Sequence, residues 1–157
     1  TFRDKAIRVI TPHPGEAARL LGSSADEVQA DRVEALRALS AKFGDCWVVL
    51  KGQHTLIGRG EGQILMNPTG NPGLGQGGSG DLLAGYLAGL LAQPLLLEDV
   101  AQTIRYAIWQ HGAAADELAS QAPNWVVEDL AKRIGGVLAV SSGNREPEFN
   151  AFTSGFF

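Results

Sequence analysis

The chain has 157 residues, 45% of them hydrophobic and 19% charged, with a formal net charge of −4. That is the length of one domain and too apolar a composition for disorder. A net-negative chain offers no general basic surface to a phosphate backbone, so nucleic acid is not an expected partner; no apolar run approaches the roughly 18 residues of a membrane-spanning helix.

The one cysteine, Cys46, excludes an internal disulfide and suits a reducing compartment. It leads into Trp47-Val48-Val49-Leu50, where a buried thiol is expected. The first residues, TFRDKAIRVITPHPGE, carry no apolar signal-peptide core and do not begin with methionine, so the chain is expected to be a fragment or a processed piece.

In chain order, Arg8-Val9-Ile10 reads as the end of a short buried strand, stopped by Thr11-Pro12-His13-Pro14. Pro14 suits the first turn of a helix that runs to Gly22. Ser24 with Glu27 forms a capping box for a helix expected over 25–43, with Val28, Leu36, Leu39 and Phe43 on its apolar face. Cys46–Leu50 is a continuous apolar strand of the kind covered on both faces in a parallel sheet. A hairpin is expected from Thr55–Ile57 and Ile64–Met66. A glycine-rich loop then leads into an apolar helix beginning at about Leu82, whose Gly85 and Gly89 predict a closely packed backbone neighbour. Further helices are expected over Glu98–Leu118 and Val126–Ile134, and 141–157 as an irregular tail. The order of elements is that of a layered α/β domain.

Three motifs carry chemistry. Gly77-Gly78-Ser79-Gly80-Asp81 opens a helix, so its backbone N–H groups and the positive helix end form a place for an anion. No Lys-Ser/Thr follows the glycines, so this is not a Walker loop. Asp81 is either an ordinary first-turn carboxylate facing the helix dipole or a base placed to take a hydroxyl proton beside a phosphoryl group. Leu50-Lys51-Gly52-Gln53-His54-Thr55 puts a lysine just past a central strand, where open α/β sheets bind ligands; the alternative is a solvated loop lysine. In Thr11-Pro12-His13-Pro14-Gly15-Glu16, His13 is held rigidly at the same strand edge, as a ligand contact or as a structural histidine; Glu16 is also readable as a helix N-terminal charge. His54 reads as a loop contact and His111 as lying on an apolar helix face. No Cys, His and carboxylate set has zinc-ligand spacing.

Taken together and in this order, TPHPGEAARLLG, VVLKG and NPTGNPGLGQGGSGDLLAGYLAGLLAQ resemble the ADP/ATP-dependent NAD(P)H-hydrate dehydratase family, over about residues 7–134. The resemblance implies a ribokinase-like three-layer α/β/α fold with a mostly parallel sheet. It also implies that residues 1–140 are the C-terminal part of one such domain, lacking its N-terminal portion. The implied activity is metabolite repair: the C6 hydroxyl of hydrated NADH or NADPH (NAD(P)HX) is phosphorylated by ADP or ATP, phosphate leaves, and NAD(P)H is restored. By motif, Asp81 is similar to the family's catalytic, substrate-facing carboxylate and His13 to a substrate contact. Lys51, Gly52, Gln53, His54, Thr55, Gly78, Ser79 and Gly80 are similar to its nucleotide-binding set. Mg²⁺ accompanying the nucleotide, an epimerase domain or partner, a homo-oligomer and a cytoplasmic location are further expectations. The sequence departs from the family at Gln76, whose long side chain either crowds the phosphate site or points outward. A small-molecule kinase of the same superfamily, or an inactive nucleotide-binding fragment, are the competing readings.

Overall fold

The computed structural model describes residues 6–137, so the tail expected over 141–157 and the outermost residues of the expected 1–140 domain lie outside the described part. Strand β1 (Val9–Ile10) stops at the proline pair, and helix α1 (Pro14–Leu21) begins on Pro14, whose missing N–H costs nothing at a first helical position. Gly22 ends α1 in the left-handed region (φ 75°), the expected place for a glycine. Ser24 and Glu27 cap helix α2 (Ala25–Ala30) reciprocally, as their spacing predicts.

The single helix expected over 25–43 is instead two. Asp31 (φ −143°, ψ 84°) leaves helical geometry, closes α2, and accepts from the Glu34 amide to open α3 (Arg32–Lys42). A short acceptor side chain that satisfies a new helix start competes well with continuing the old helix.

Strands β2 (Trp47–Leu50), β3 (Leu56–Gly58) and β4 (Leu65–Met66) complete a sheet of order β1-β2-β3-β4. β1 runs parallel to β2 with Val9 opposite Trp47. β2 and β3 are antiparallel, as are β3 and β4, which form the expected hairpin with Ile57 opposite Leu65. The parallel character expected of the sheet is thus confined, among the described residues, to the β1–β2 pair.

Side chains of β2 alternate between two cores. Val48 and Leu50 pack with Ala17, Leu36 and Leu39 of α1 and α3. Val49, with Ile57 of β3, packs on the opposite face against α4 (Ser79–Leu91) and α5 (Val100–Gln121) through Leu83, Leu87, Ile104 and Ile108. The result is a three-layer arrangement, α1–α3 over the sheet over α4–α5, dictated by the period of two along β2. Each buried Val, Leu or Ile among these contributes roughly 1.5–3 kcal/mol. A third cluster joins Leu130 of α6 (Val127–Arg133) and Trp125 to Ala114 and Ala115 of α5.

Helix α4 starts at Ser79, a turn earlier than about Leu82, and α5 at Val100 rather than Glu98. The close neighbour expected at Gly85 and Gly89 is absent among the described residues: a Cβ on either glycine would meet nothing within 4 Å. No described helix is long and apolar enough to cross a membrane.

Candidate active site

The parallel pairing of β1 and β2 brings their C-terminal ends side by side, and the Lys51 amide donates to the Pro12 carbonyl (2.8 Å). That one hydrogen bond sets the TPHPGE and LKGQHT segments against each other. Within the first segment His13 is the N-cap of α1: its Nδ1 accepts from the amides of Gly15 (3.1 Å) and Glu16 (3.2 Å), while its own amide donates to Glu16 Oε2 (2.7 Å). Because Nδ1 acts as the acceptor, neutral His13 carries its proton on Nε2, 3.6 Å from Glu16 Oε1. The hydrogen bond donated by the His13 amide holds the Glu16 pKa below its ordinary value against an opposing desolvation cost, aided by the charge of Lys51.

Lys51 reaches from β2 toward the first turn of α4. Its Nζ lies 3.7 Å from Glu16 Oε2, and a Cβ placed on Gly80 would fall 2.9 Å from it. Glycine at position 80 is therefore what lets the ammonium lie against the helix start. Gly78, the N-cap, adopts φ 88° and supplies no side-chain cap. The Ser79 amide turns back to the Gln76 carbonyl (3.3 Å), which removes it from the amides expected to meet an anion. The amides of Gly80 and Asp81 make no hydrogen bond among the described residues, leaving them free for an incoming oxygen beside the exposed Asp81 carboxylate. Gln76 Nε2 donates to the Trp125 carbonyl (3.1 Å), two residues before α6, which anchors the end of this side chain although the residue lines the same cleft as Gly80.

The loop between β2 and β3 holds Gly52 at φ 138° and His54 at φ 55°, with the Thr55 hydroxyl donating to the Gly52 carbonyl (3.2 Å). All ten residues singled out from sequence, His13, Lys51, Gly52, Gln53, His54, Thr55, Gly78, Ser79, Gly80 and Asp81, line one cleft of about 970 Å³. A cleft of that size is at the large end for small-molecule sites.

Its far wall comes from residues that the sequence reading did not assign to the site. The loop Asn67–Gln76 is pinned to α5: the Thr69 hydroxyl donates to the Trp109 carbonyl (3.1 Å), and Asp116 accepts from the Gly70 amide (2.8 Å) and Asn71 Nδ2 (3.0 Å). Gly112 lies directly under Thr69, and Gly73 under the Trp125 ring, where a Cβ would come within 2.6 Å of Cζ2. His111, expected on an apolar face, is buried there but reaches Ser79. The run Gly112-Ala113-Ala114-Ala115-Asp116 was the available signal: small residues and one carboxylate mark a helix face approached by another backbone.

Among the described residues no three His, Cys, Asp or Glu side chains meet in a way that could hold a metal ion. Glu16 and Asp81 are the carboxylates lining the cleft.

A three-layer α/β/α core with a glycine-opened helix N-terminus facing the ends of paired strands defines a ribokinase-like domain. The sequence model for NAD(P)H-hydrate dehydratase matches residues 1–136, and the chain belongs to that family. It is 47% identical over 121 residues to a bifunctional NAD(P)H-hydrate repair enzyme of Moorella thermoacetica, covering 75% of this chain and 22% of that protein. It is 46% identical over 114 residues to an ADP-dependent (S)-NAD(P)H-hydrate dehydratase of Neisseria meningitidis, covering 73% and 37%. The ADP/ATP-dependent NAD(P)H-hydrate dehydratase of Bacillus subtilis, co-crystallized with ATP/Mg²⁺, superposes with a TM-score of 0.76 at 32% identity, over 85% of this chain and 48% of that one. The chain thus spans less than half the length of each of these relatives.

Proposed function

We propose that this chain serves the nucleotide-dependent dehydration of hydrated NADH or NADPH, with residues 1–140 as the C-terminal part of one dehydratase domain. The observation that carries this reading is the meeting of Lys51, the unbonded Gly80 and Asp81 amides and the Asp81 carboxylate at one end of one cleft. An anion hole beside a carboxylate suits transfer of a phosphoryl group to a hydroxyl.

In this reading the C6 hydroxyl of the hydrate faces Asp81, and His13, through its Nε2–H, contacts the same substrate. The hydroxyl oxygen attacks the terminal phosphorus of ADP or ATP while Asp81 takes its proton. The bond from phosphorus to the nucleotide's bridging oxygen breaks, releasing AMP or ADP. Phosphate is a far better leaving group than hydroxide, so the ring nitrogen's lone pair can expel it from C6. Loss of a proton from the neighbouring ring carbon restores the double bond. Lys51 and the amides of Gly78, Gly80 and Asp81 stabilise the charge that develops on the transferring group, and Lys51–Thr55 hold the nucleotide. Two carboxylates lining the cleft do not make a protein cage, so Mg²⁺ would ride on the nucleotide phosphates, where it would neutralise their charge. An epimerase unit as functional partner, a homo-oligomeric state and a cytoplasmic location belong to the same proposal.

The test is to incubate the chain with the hydrate and ADP or ATP, following the near-ultraviolet absorbance of the reduced nicotinamide. Nucleotide-dependent recovery with release of phosphate supports the reading. A stable phosphorylated product would identify a kinase instead, and no turnover would contradict both.

A further inference from the structure

Arg32 is the first residue of α3, where the positive end of the helix disfavours a cation. Its guanidinium is turned instead onto the main chain of one loop, with Nη2 donating to the carbonyls of Leu50 (3.0 Å) and Lys51 (3.4 Å) and Nη1 to that of Gln53 (2.5 Å). Gly52 rests on it: a Cβ there would lie 3.2 Å from Nη2. The arrangement has costs, since Arg32 Nε is buried without a hydrogen-bond partner and His54 is held at φ 55°, a region that non-glycine residues seldom occupy. Local choices that run against helix electrostatics and backbone preference together commonly mark a functional constraint.

The geometry has a direct consequence. In a trans peptide the C=O and the following N–H point in opposite directions, and no peptide bond among the described residues is cis. Drawing the Lys51 and Gln53 carbonyls onto Arg32 therefore turns the amides of Gly52 and His54 the other way. Both residues line the cleft, and neither amide makes a hydrogen bond among the described residues.

We infer that Arg32 is a positioning residue: it clamps the carbonyls of Leu50, Lys51 and Gln53 so that the Gly52 and His54 amides stand as paired donors for a phosphate of the bound nucleotide. This rests on the nucleotide-dependent reading above and assigns its grip to a side chain outside the cleft wall. A planar guanidinium is suited to the task because it meets several carbonyls in a fixed fork, which an ammonium cannot reproduce.

The experiment uses the full chain with Arg32→Ala and Arg32→Lys, ADP as the probe, and calorimetric affinity, thermal melting and steady-state kinetics as readouts. The expected result is a loss of ADP affinity of about tenfold or more in Arg32→Ala, the size expected when hydrogen bonds to a charged group are lost. The KM for the hydrate should stay near the parent's, and added methylguanidinium should restore ADP binding. Arg32→Lys should melt like the parent yet bind ADP several-fold more weakly. In the absence of nucleotide, amide exchange over 51–55 should quicken in both variants. Parent-like ADP affinity in a folded Arg32→Lys, or failure of methylguanidinium to rescue a folded Arg32→Ala, would overturn the inference alone. Failure of the parent itself to bind ADP would overturn the underlying reading and this inference with it.

Discussion

His111 Nε2 lies 3.1 Å from the carbonyl oxygen of Ser79 and 3.3 Å from its hydroxyl, with both residues buried. A carbonyl can only accept, so Nε2 carries the proton, and the imidazole ties α5 to the first turn of α4 directly behind the anion hole. Burial pulls the His111 pKa below its ordinary 6.5; the bond to Ser79 opposes this and the Lys51 charge adds to it. A base whose folded pKa is depressed binds fewer protons folded than unfolded in the window just below 6.5, so its neutral form contributes stability that is lost as pH falls through that window. The parent should therefore lose stability between about pH 7.5 and about pH 5.5 more steeply than His111→Gln, which keeps an N–H donor but does not titrate. Urea unfolding at the two pH values measures the difference. An identical pH dependence in the variant would exclude this role.

Gly80→Ala isolates the Lys51 contact. The added methyl meets only the far end of a flexible side chain, so the fold should hold, with a melting temperature at or slightly above the parent's because Gly80 lies in the first turn of α4 rather than its interior. Displacement of the ammonium should weaken ADP binding by about tenfold, the scale of one hydrogen bond to a charged group. Calorimetry with ADP beside a thermal melt separates the two effects.

Gly112→Ala should behave in the opposite way. A Cβ there collides with the Thr69 side chain and would sit 2.6 Å from its carbonyl carbon and 2.7 Å from its carbonyl oxygen, and backbone cannot yield as a lysine tip can. The loop Asn67–Gln76 must shift off α5, at a cost of roughly 1–3 kcal/mol typical of overpacking. Denaturant unfolding should show that loss, and turnover should fall with it.

The departure at Gln76 carries a milder expectation. Its side-chain Nε2 is held by the Trp125 carbonyl, so Gln76→Thr should cost about one hydrogen bond, roughly 0.5–1.5 kcal/mol, with turnover within about twofold of the parent. A large gain in turnover would show that the glutamine does obstruct the site.

The two strand ends and the glycine-opened helix were legible in sequence because each rests on local rules. Proline at a first helical position, a continuous apolar strand and glycines before a helix all act over a few residues. His13 was identified but not as a helix cap, since histidine is an uncommon N-cap and its Nδ1 bonds depend on the turn that the prolines impose. The break at Asp31 was hidden by apolar spacing that continues through it. The wall supplied by α5 was out of reach for a different reason. His111 to Ser79, Gly112 to Thr69 and Asp116 to Gly70 join residues 32 to 46 positions apart, and only tertiary packing brings them together. The glycines of α4 show the reverse error: Gly85 and Gly89 predict a close neighbour, and among the described residues that face is open.

The central claim is that Asp81 takes the hydroxyl proton as a phosphoryl group crosses the first turn of α4. Asp81→Asn keeps the side chain's size and removes its capacity as a base, so nucleotide-dependent recovery of the reduced nicotinamide should fall by about 10²–10⁴-fold while ADP affinity stays within about threefold. Turnover within a few-fold of the parent would contradict the role given to Asp81 and the reading of the cleft built around it.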